Sequence, residues 1–220
     1  MKTALVFGST GLVGGHLVKK LIKSNTYSKI KIFVRSDSEI KDSKIEIINT
    51  DFYNLENHKE DIKGDHCFVC IGTTKKNAPK ENEYRRIEYN IPVKIAKLAK
   101  LNSVKSFLYI SSGFANPKST SSYLKNKGEV EDELKKLNFL KLGIFRPSFL
   151  MGNRKEVRLG EKIGTFFFKL ISPVLLGSLS KIKPIDSDIV AEVMIKVANE
   201  SLQQTFFESN EIANLIKNRN

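Results

Sequence analysis

The sequence predicts an α/β protein built on a doubly wound parallel sheet, with a small C-terminal segment on the substrate side. Three observations carry this expectation. Strand-like and helical runs alternate along nearly the whole chain, the order that lays a parallel sheet between two layers of helices. Runs such as FLYIS and CFVCI are apolar at successive positions, as strands covered on both faces must be. A glycine-rich stretch, GSTGLVGG, stands between the first apolar run and the first amphipathic helix, where folds of this class carry a ligand-binding turn.

The elements follow in order. Thr3–Phe7 is the first strand and Leu12–Ser24 the first helix. Lys29–Val34 and Ile45–Ile48 are strands, and a short polar helix around Leu55–Ile62 leads to the strand Cys67–Ile71. Glu83–Leu101 reads as one long helix, with Ile95 and Leu98 facing inward and Lys94, Lys97 and Lys100 forming the solvated stripe. Ser106–Ser111 is a strand, Ser121–Leu137 a helix and Leu140–Phe145 a strand. Glu156–Leu179 is mostly helical, and Ile182–Ile185 is a short strand. The helix Ser187–Asn199 is capped by Asp186 or Ser187, and Thr205–Glu208 is the last strand.

A chain of 220 residues forms one domain, 1–220, with 152–185 as a substrate-side insertion within it. A domain of this size buries roughly 70% of its unfolded surface, enough to fold without disulfide or metal. No repeat of solenoid period occurs. Met1-Lys2 leads straight into a strand and leaves no room for a secretory apolar segment. The most apolar later stretch, Ile163–Leu179, is interrupted by Lys169 and Pro173 and falls short of a membrane span. A soluble, cytoplasmic protein is expected. The net charge of +13 is spread along the chain, with abundant Lys, Asn and Ile, and no nucleic-acid motif or Trp accompanies it. Nucleic acid is therefore not an expected partner.

The glycines have distinct tasks. Gly8 makes the sharp turn out of the strand. Gly11 lets backbone N–H groups approach a pyrophosphate, with Thr10, Leu12 and Val13 flanking it, and Gly14 lets the helix pack closely. The helix N-terminus then turns its unpaired N–H groups toward the phosphates. The second strand ends in Arg35-Ser36, where NAD-binding proteins carry an acid for the ribose hydroxyls. A guanidinium grips a 2′-phosphate, and the serine adds a bond, so NADP is expected over NAD. Asp37 competes with this reading as a ribose acid two residues on. Asp51, after the third strand, either accepts from the adenine amino group or caps the following helix.

Cys67 and Cys70 form a CxxC spacing inside a strand, so they point to opposite faces and read as core residues. His16, His58 and His66 have no ligand-spaced partners, and no metal site is expected. The chemistry points to YISSGFANPKSTSSYLKNKGEVE. Tyr123 and Lys127 are four apart and share a helix face. A neighbouring ammonium lowers the proton affinity of a phenol, which is otherwise a poor acid–base group near neutrality. A serine at the end of the preceding strand bonds the substrate oxygen while a hydride arrives or leaves.

Taken together, the glycine turn, Arg35, IGTT at Ile71–Thr74, Asn90, Ser111, Tyr123 and Lys127 resemble an atypical short-chain dehydrogenase/reductase. The stretches SSGFANPKSTSSYLKNKGEVE and FRPSFLMGNRKEVRLGE are similar to its Tat-interacting-protein-like branch. The resemblance spans roughly residues 2–200. It implies a Rossmann fold, NADP(H) and a Ser-Tyr-Lys site. Ser111 suits the family's serine, with Ser112 as the close alternative. Asn90 would support the lysine through water, Gly72 and Thr73 would line the cofactor, and Lys127 would reach the nicotinamide ribose. Pro147 would begin the loop near the nicotinamide, where the family's Pro-Gly is here Pro147-Ser148.

Two functions follow from that likeness. One is hydride transfer on a small carbonyl or alcohol. The other is an NADP(H)-binding regulator or scaffold with little turnover. Two basic clusters, Lys75-Lys76-Lys80 and Arg154-Lys155-Arg158, follow strand ends on the ligand side. They either favour an anionic substrate or acidic lipid surface or belong to the chain-wide excess.

Overall fold

The computed structural model describes residues 1–36, 40–152, 184–200 and 203–217. In order, the strands are β1 (Lys2–Phe7), β2 (Tyr27–Val34), β3 (Ile45–Asn49), β4 (His66–Val69), β5 (Ser106–Ile110), β6 (Lys141–Arg146), β7 (Leu150–Met151), β8 (Ile185–Asp186) and β9 (Phe206–Glu208). The helices are α1 (Leu12–Lys23), α2 (Glu81–Arg85), α3 (Ile91–Leu101), α4 (Ser122–Lys136), α5 (Ser187–Asn199) and α6 (Ser209–Lys217). The main sheet runs β3-β2-β1-β4-β5-β6-β9, every pair parallel, and β7 pairs with β8 separately. This is a Rossmann α/β fold.

Two cores lie on either side of the sheet because alternate strand residues point oppositely. On β1, Ala4 and Val6 pack with Leu17 and Leu21 of α1 and with Val193 and Val197 of α5. Leu5 and Phe7 pack with Ile95 and Ala99 of α3 and with Val130 and Leu134 of α4. The strand order reverses between β1 and β4, and ligands of open α/β sheets bind in that crevice. Because all the strands are parallel, the chain leaves β1, β2, β4, β5 and β6 on one edge, at Gly8, Arg35, Cys70, Ser111 and Pro147.

The expected long helix is divided. After α2 comes a π-helical turn, Arg86–Asn90, and only then α3. The cause is Pro92, which has no N–H for the Glu88 carbonyl one turn back and whose ring crowds it. The helix widens instead, with the Ile91 N–H donating to the Arg86 carbonyl five residues earlier. The helix α6 and strand β7 are additions to the expected elements, and the strand expected at Ile182–Ile185 is found at Ile185–Asp186. Residues 153–183, the greater part of the expected insertion 152–185 with the cluster at 154–158 and the helical stretch 156–179, and Asp37 lie outside the described residues.

Candidate functional site

The glycine turn is built by close approach. Gly8 has φ of 88°, and a Cβ there would stand 2.7 Å from the Cys70 carbonyl carbon. A Cβ on Gly14 would stand 2.0 Å from the Gly8 oxygen, so α1 reaches β1 only because position 14 is bare. Gly11 is the N-cap of α1 and makes no side-chain cap, and the first turn holds no acidic residue. The helix therefore presents uncapped N–H groups and a positive dipole end at Leu12 and Val13. The Ser9 hydroxyl beside them is buried with no hydrogen-bond partner among the described residues. This cradle fits the phosphates of a dinucleotide. Thr10 is exposed at its rim.

Arg35 and Ser36 are exposed past β2. Asp51 Oδ1 accepts the N–H groups of Tyr53 (2.8 Å) and Asn54 (3.4 Å). That bond makes a turn ahead of the 3₁₀ segment Leu55–His58, whose N-cap is Asn54, so the capping alternative for Asp51 moves to Asn54. Gly72 is exposed, and the Thr73 N–H donates to Glu88 Oε1 at 2.5 Å. Pro147 is buried, and its carbonyl accepts the Gly113 N–H at 2.9 Å.

The structure brings Tyr123, Lys127 and Ser112 together. Tyr123 and Lys127 lie one turn apart on α4, and the Ser112 hydroxyl is near enough to the Tyr123 phenol to favour its ionised form. The Ser112 Oγ in turn donates to the Gly113 carbonyl at 3.2 Å. Ser111 is turned away. Its Oγ donates to Glu131 Oε1 at 2.5 Å, and Glu131 also takes Arg146, which reaches Glu208 at 3.3 Å. Successive residues leaving a strand point to opposite sides, so only one of the two serines can face the phenol, and here it is Ser112.

Asn90 is not beside the lysine. It is exposed, in a surface hollow with Tyr53, Lys80, Asn82, Glu83 and Arg86. The π-helical turn carries Glu88 inward instead. Lys127 is buried, with its Nζ 3.1 Å from Tyr109 OH, 3.2 Å from the Ile110 carbonyl and 3.1 Å from Glu88 Oε2. Burial opposes the ammonium, but Glu88 and the two phenols outweigh it and hold its pKa well above the ordinary lysine value.

The expected lowering of the Tyr123 pKa is overturned. Burial raises it and Glu88 adds to the rise, against the lowering by Lys127 and the Ser112 hydroxyl. Sequence reasoning missed Glu88, Tyr109 and the Glu131–Arg146 pair. Pro92, four residues past Glu88, was the available signal for the first.

The remaining candidates separate. Lys75 pairs with Glu81 and lies over the Tyr84 ring, while Lys76 and Lys80 are exposed. Cys67 and Cys70 are free thiols packed on opposite faces of the sheet, and burial pushes Cys70 up to about 12. No helix among the described residues is long and apolar enough to cross a membrane.

A family model described as NAD(P)H-binding matches residues 8–201. The mitochondrial protein FMP52 of Debaryomyces hansenii is 32% identical over 206 residues, covering 92% of this chain and 90% of its own length. Protein HTATIP2 of Rattus norvegicus is 32% identical over 171 residues, 76% of this chain and 70% of that protein. The Bordetella bronchiseptica enzyme WbmH in complex with NAD+ superposes with a TM-score of 0.72 at 15% identity, over 94% of this chain and 74% of its own. The Thermotoga maritima UDP-glucose 4-epimerase with UDP-glucose gives 0.71 at 15% identity, over 98% and 82%. At such identities the structural likeness is one of fold. The expected cytoplasmic location is corrected by the FMP52 relatives, which are mitochondrial by name. That expectation rested on the lack of a secretory segment, which bears on secretion and not on organelles.

Proposed function

The chain belongs to the NAD(P)H-binding family, in the branch that holds HTATIP2 and FMP52, and we propose that it is an NADP(H)-dependent oxidoreductase acting on a small carbonyl or alcohol. The observation that carries the proposal is the Tyr123 phenol, near the Ser112 hydroxyl and one helical turn from the buried Lys127. This group stands on the same sheet edge as the uncapped N-terminus of α1. When bound, the nicotinamide supplies or takes the hydride. Tyr123 moves the proton to or from the substrate oxygen, Ser112 hydrogen-bonds that oxygen, and Lys127 holds positive charge beside the phenol. The exposed Arg35 at the end of β2 supports NADP over NAD, because a guanidinium there matches a 2′-phosphate.

Calorimetric titration with NADPH and NADH, followed by a carbonyl screen read by NADPH absorbance, tests this. Arg35→Ala is expected to weaken NADPH about 10- to 100-fold, the range for a bond to a charged group, and to leave NADH nearly unchanged. Equal loss for both nucleotides removes the NADP assignment. Tight nucleotide binding with no turnover on any carbonyl compound would favour the regulatory reading.

A further inference from the structure

Burying a carboxylate costs several kcal/mol unless its charge is matched, so the complete burial of Glu88 calls for a cause and a use. The cause is local: the π-helical turn forced ahead of Pro92 rotates residue 88 toward the sheet. What it meets there is specific. Glu88 Oε1 takes the Thr73 N–H from the loop after β4, and Glu88 Oε2 makes an ion pair with Lys127. The ammonium hydrogen-bonds Tyr109 OH and the Ile110 carbonyl, and Glu88 supplies the matching charge at 3.1 Å. Among the described residues, the titratable and polar groups that act on Tyr123 include Lys127 from its own helix, Glu88 from the π-helical turn, Tyr84 from α2, Tyr109 from β5 and the Ser112 hydroxyl. Among them stand one cation and one carboxylate.

We propose that Glu88 is a positioning residue that pins the Lys127 ammonium and cancels its charge as felt at Tyr123, which keeps Tyr123 a proton donor and suits the site to reducing a carbonyl. In that direction the substrate carbon gains a hydride from a reduced nicotinamide nucleotide. The C=O electron pair moves to oxygen, and oxygen takes the Tyr123 proton, which solvent later restores. An unpaired ammonium beside the phenol would instead favour phenolate and proton removal from an alcohol. The proposal rests on the reading of Tyr123 as the proton-carrying group.

The test uses the full chain with ring-labelled tyrosine, free of nucleotide and substrate, and follows each ring by NMR as pH rises. The Tyr123 line is the one absent from Tyr123→Phe. Glu88→Gln keeps the shape and an acceptor for Thr73 while removing the charge. Its Tyr123 midpoint is expected to fall by about one pH unit or more below the parent's, the effect of a close charge no longer opposed. A folded Glu88→Gln with the parent's midpoint overturns the proposal and leaves Glu88 a structural pin. Should Glu88→Gln fail to fold, the double variant Glu88→Gln/Lys127→Met carries neither charge. Its midpoint is expected to match the parent's, and a midpoint above the parent's means that the lysine dominates and overturns the proposal. Neither readout uses turnover. A shifted midpoint in a protein that reduces no carbonyl leaves the charge balance standing and removes the oxidoreductase reading alone.

Discussion

Two phenols stand at opposite ends of the same parallel sheet, Tyr27 buried and Tyr123 half-buried, and they are held in opposite ways. Tyr27 opens β2 at the N-terminal end. Its oxygen accepts from Asn199 Nδ2 at 2.9 Å, and it lies 2.8 Å from His66 Nδ1. The amide donates there, the donor in the phenol–imidazole bond depends on the imidazole tautomer, and the lowered His66 pKa holds the ring neutral near neutral pH. Tyr123, beyond β5 at the C-terminal end, stands beside a full ammonium and a full carboxylate. Burial raises the pKa of both phenols. They differ in their neighbours: the hydrogen-bond partners of Tyr27 are a neutral amide and an imidazole, with Lys2 one bond further out on Asn199, whereas at Tyr123 the balance between two charges sets how readily the proton leaves. The hydrogen-bonded chain at Tyr27 ties together β2, β4 and α5, and the charged cluster is where the proposed chemistry is assigned.

The comparison breaks most visibly at Tyr123. Tyr123→Phe keeps the ring and removes the proton, so turnover on an identified carbonyl is expected to fall about 10²- to 10⁴-fold, with nucleotide affinity near the parent's. Full activity in this variant would dissolve the distinction between the two phenols.

Acid exposes the other end. Burial, reinforced by Lys2, pushes the His66 pKa from 6.5 to about 4 in the folded chain. Between these values the unfolded chain takes a proton that the folded one resists. The stability contribution is therefore full above about pH 6.5 and is lost as pH falls toward about 4, on the order of 2–3 kcal/mol in all. Denaturant titrations across this range are expected to show a shallower slope for His66→Phe than for the parent. Parallel slopes would mean that other groups carry the acid sensitivity.

A smaller effect sharpens the contrast. Tyr27→Phe leaves the buried His66 Nδ1 without its partner, while the exposed Asn199 amide keeps Ile195 and Lys2, and is expected to cost about 1–3 kcal/mol of unfolding free energy. Nucleotide binding should be unaffected, since this end of the sheet is remote from the glycine turn. Reduced NADPH affinity in a folded Tyr27→Phe protein would show that the two ends are coupled.

Much of the nucleotide half was legible in the sequence because its parts are adjacent in the chain. Gly8, Gly11 and Gly14 act through their own backbone, and their spacing after a strand already states which atoms approach which. Arg35 and Asp51 are placed by the ends of β2 and β3, which apolar runs mark. The proposed acid–base half was less legible. Tyr123 and Lys127 are related by one helical turn, so their pairing could be read. Their environment could not, because Glu88, Tyr109 and Ser112 arrive from a π-helical turn, a strand interior and a loop. Asn90 was placed at the lysine by resemblance, whereas the turn ahead of Pro92 puts residue 88 there.

The sequence by itself determined the alternation of strands and helices, the doubly wound parallel sheet, the glycine turn and the Tyr123–Lys127 pair, because each follows from periodicity or from bonds within a few residues. Only the tertiary structure decided that Ser112 faces the phenol while Ser111 joins Glu131, and that Lys127 is neutralised by Glu88. It also decided that the Tyr123 pKa is raised and not lowered. Those outcomes depend on burial and on charges from separate elements meeting in a low-dielectric interior, where a single ångström-scale contact sets the sign of the effect.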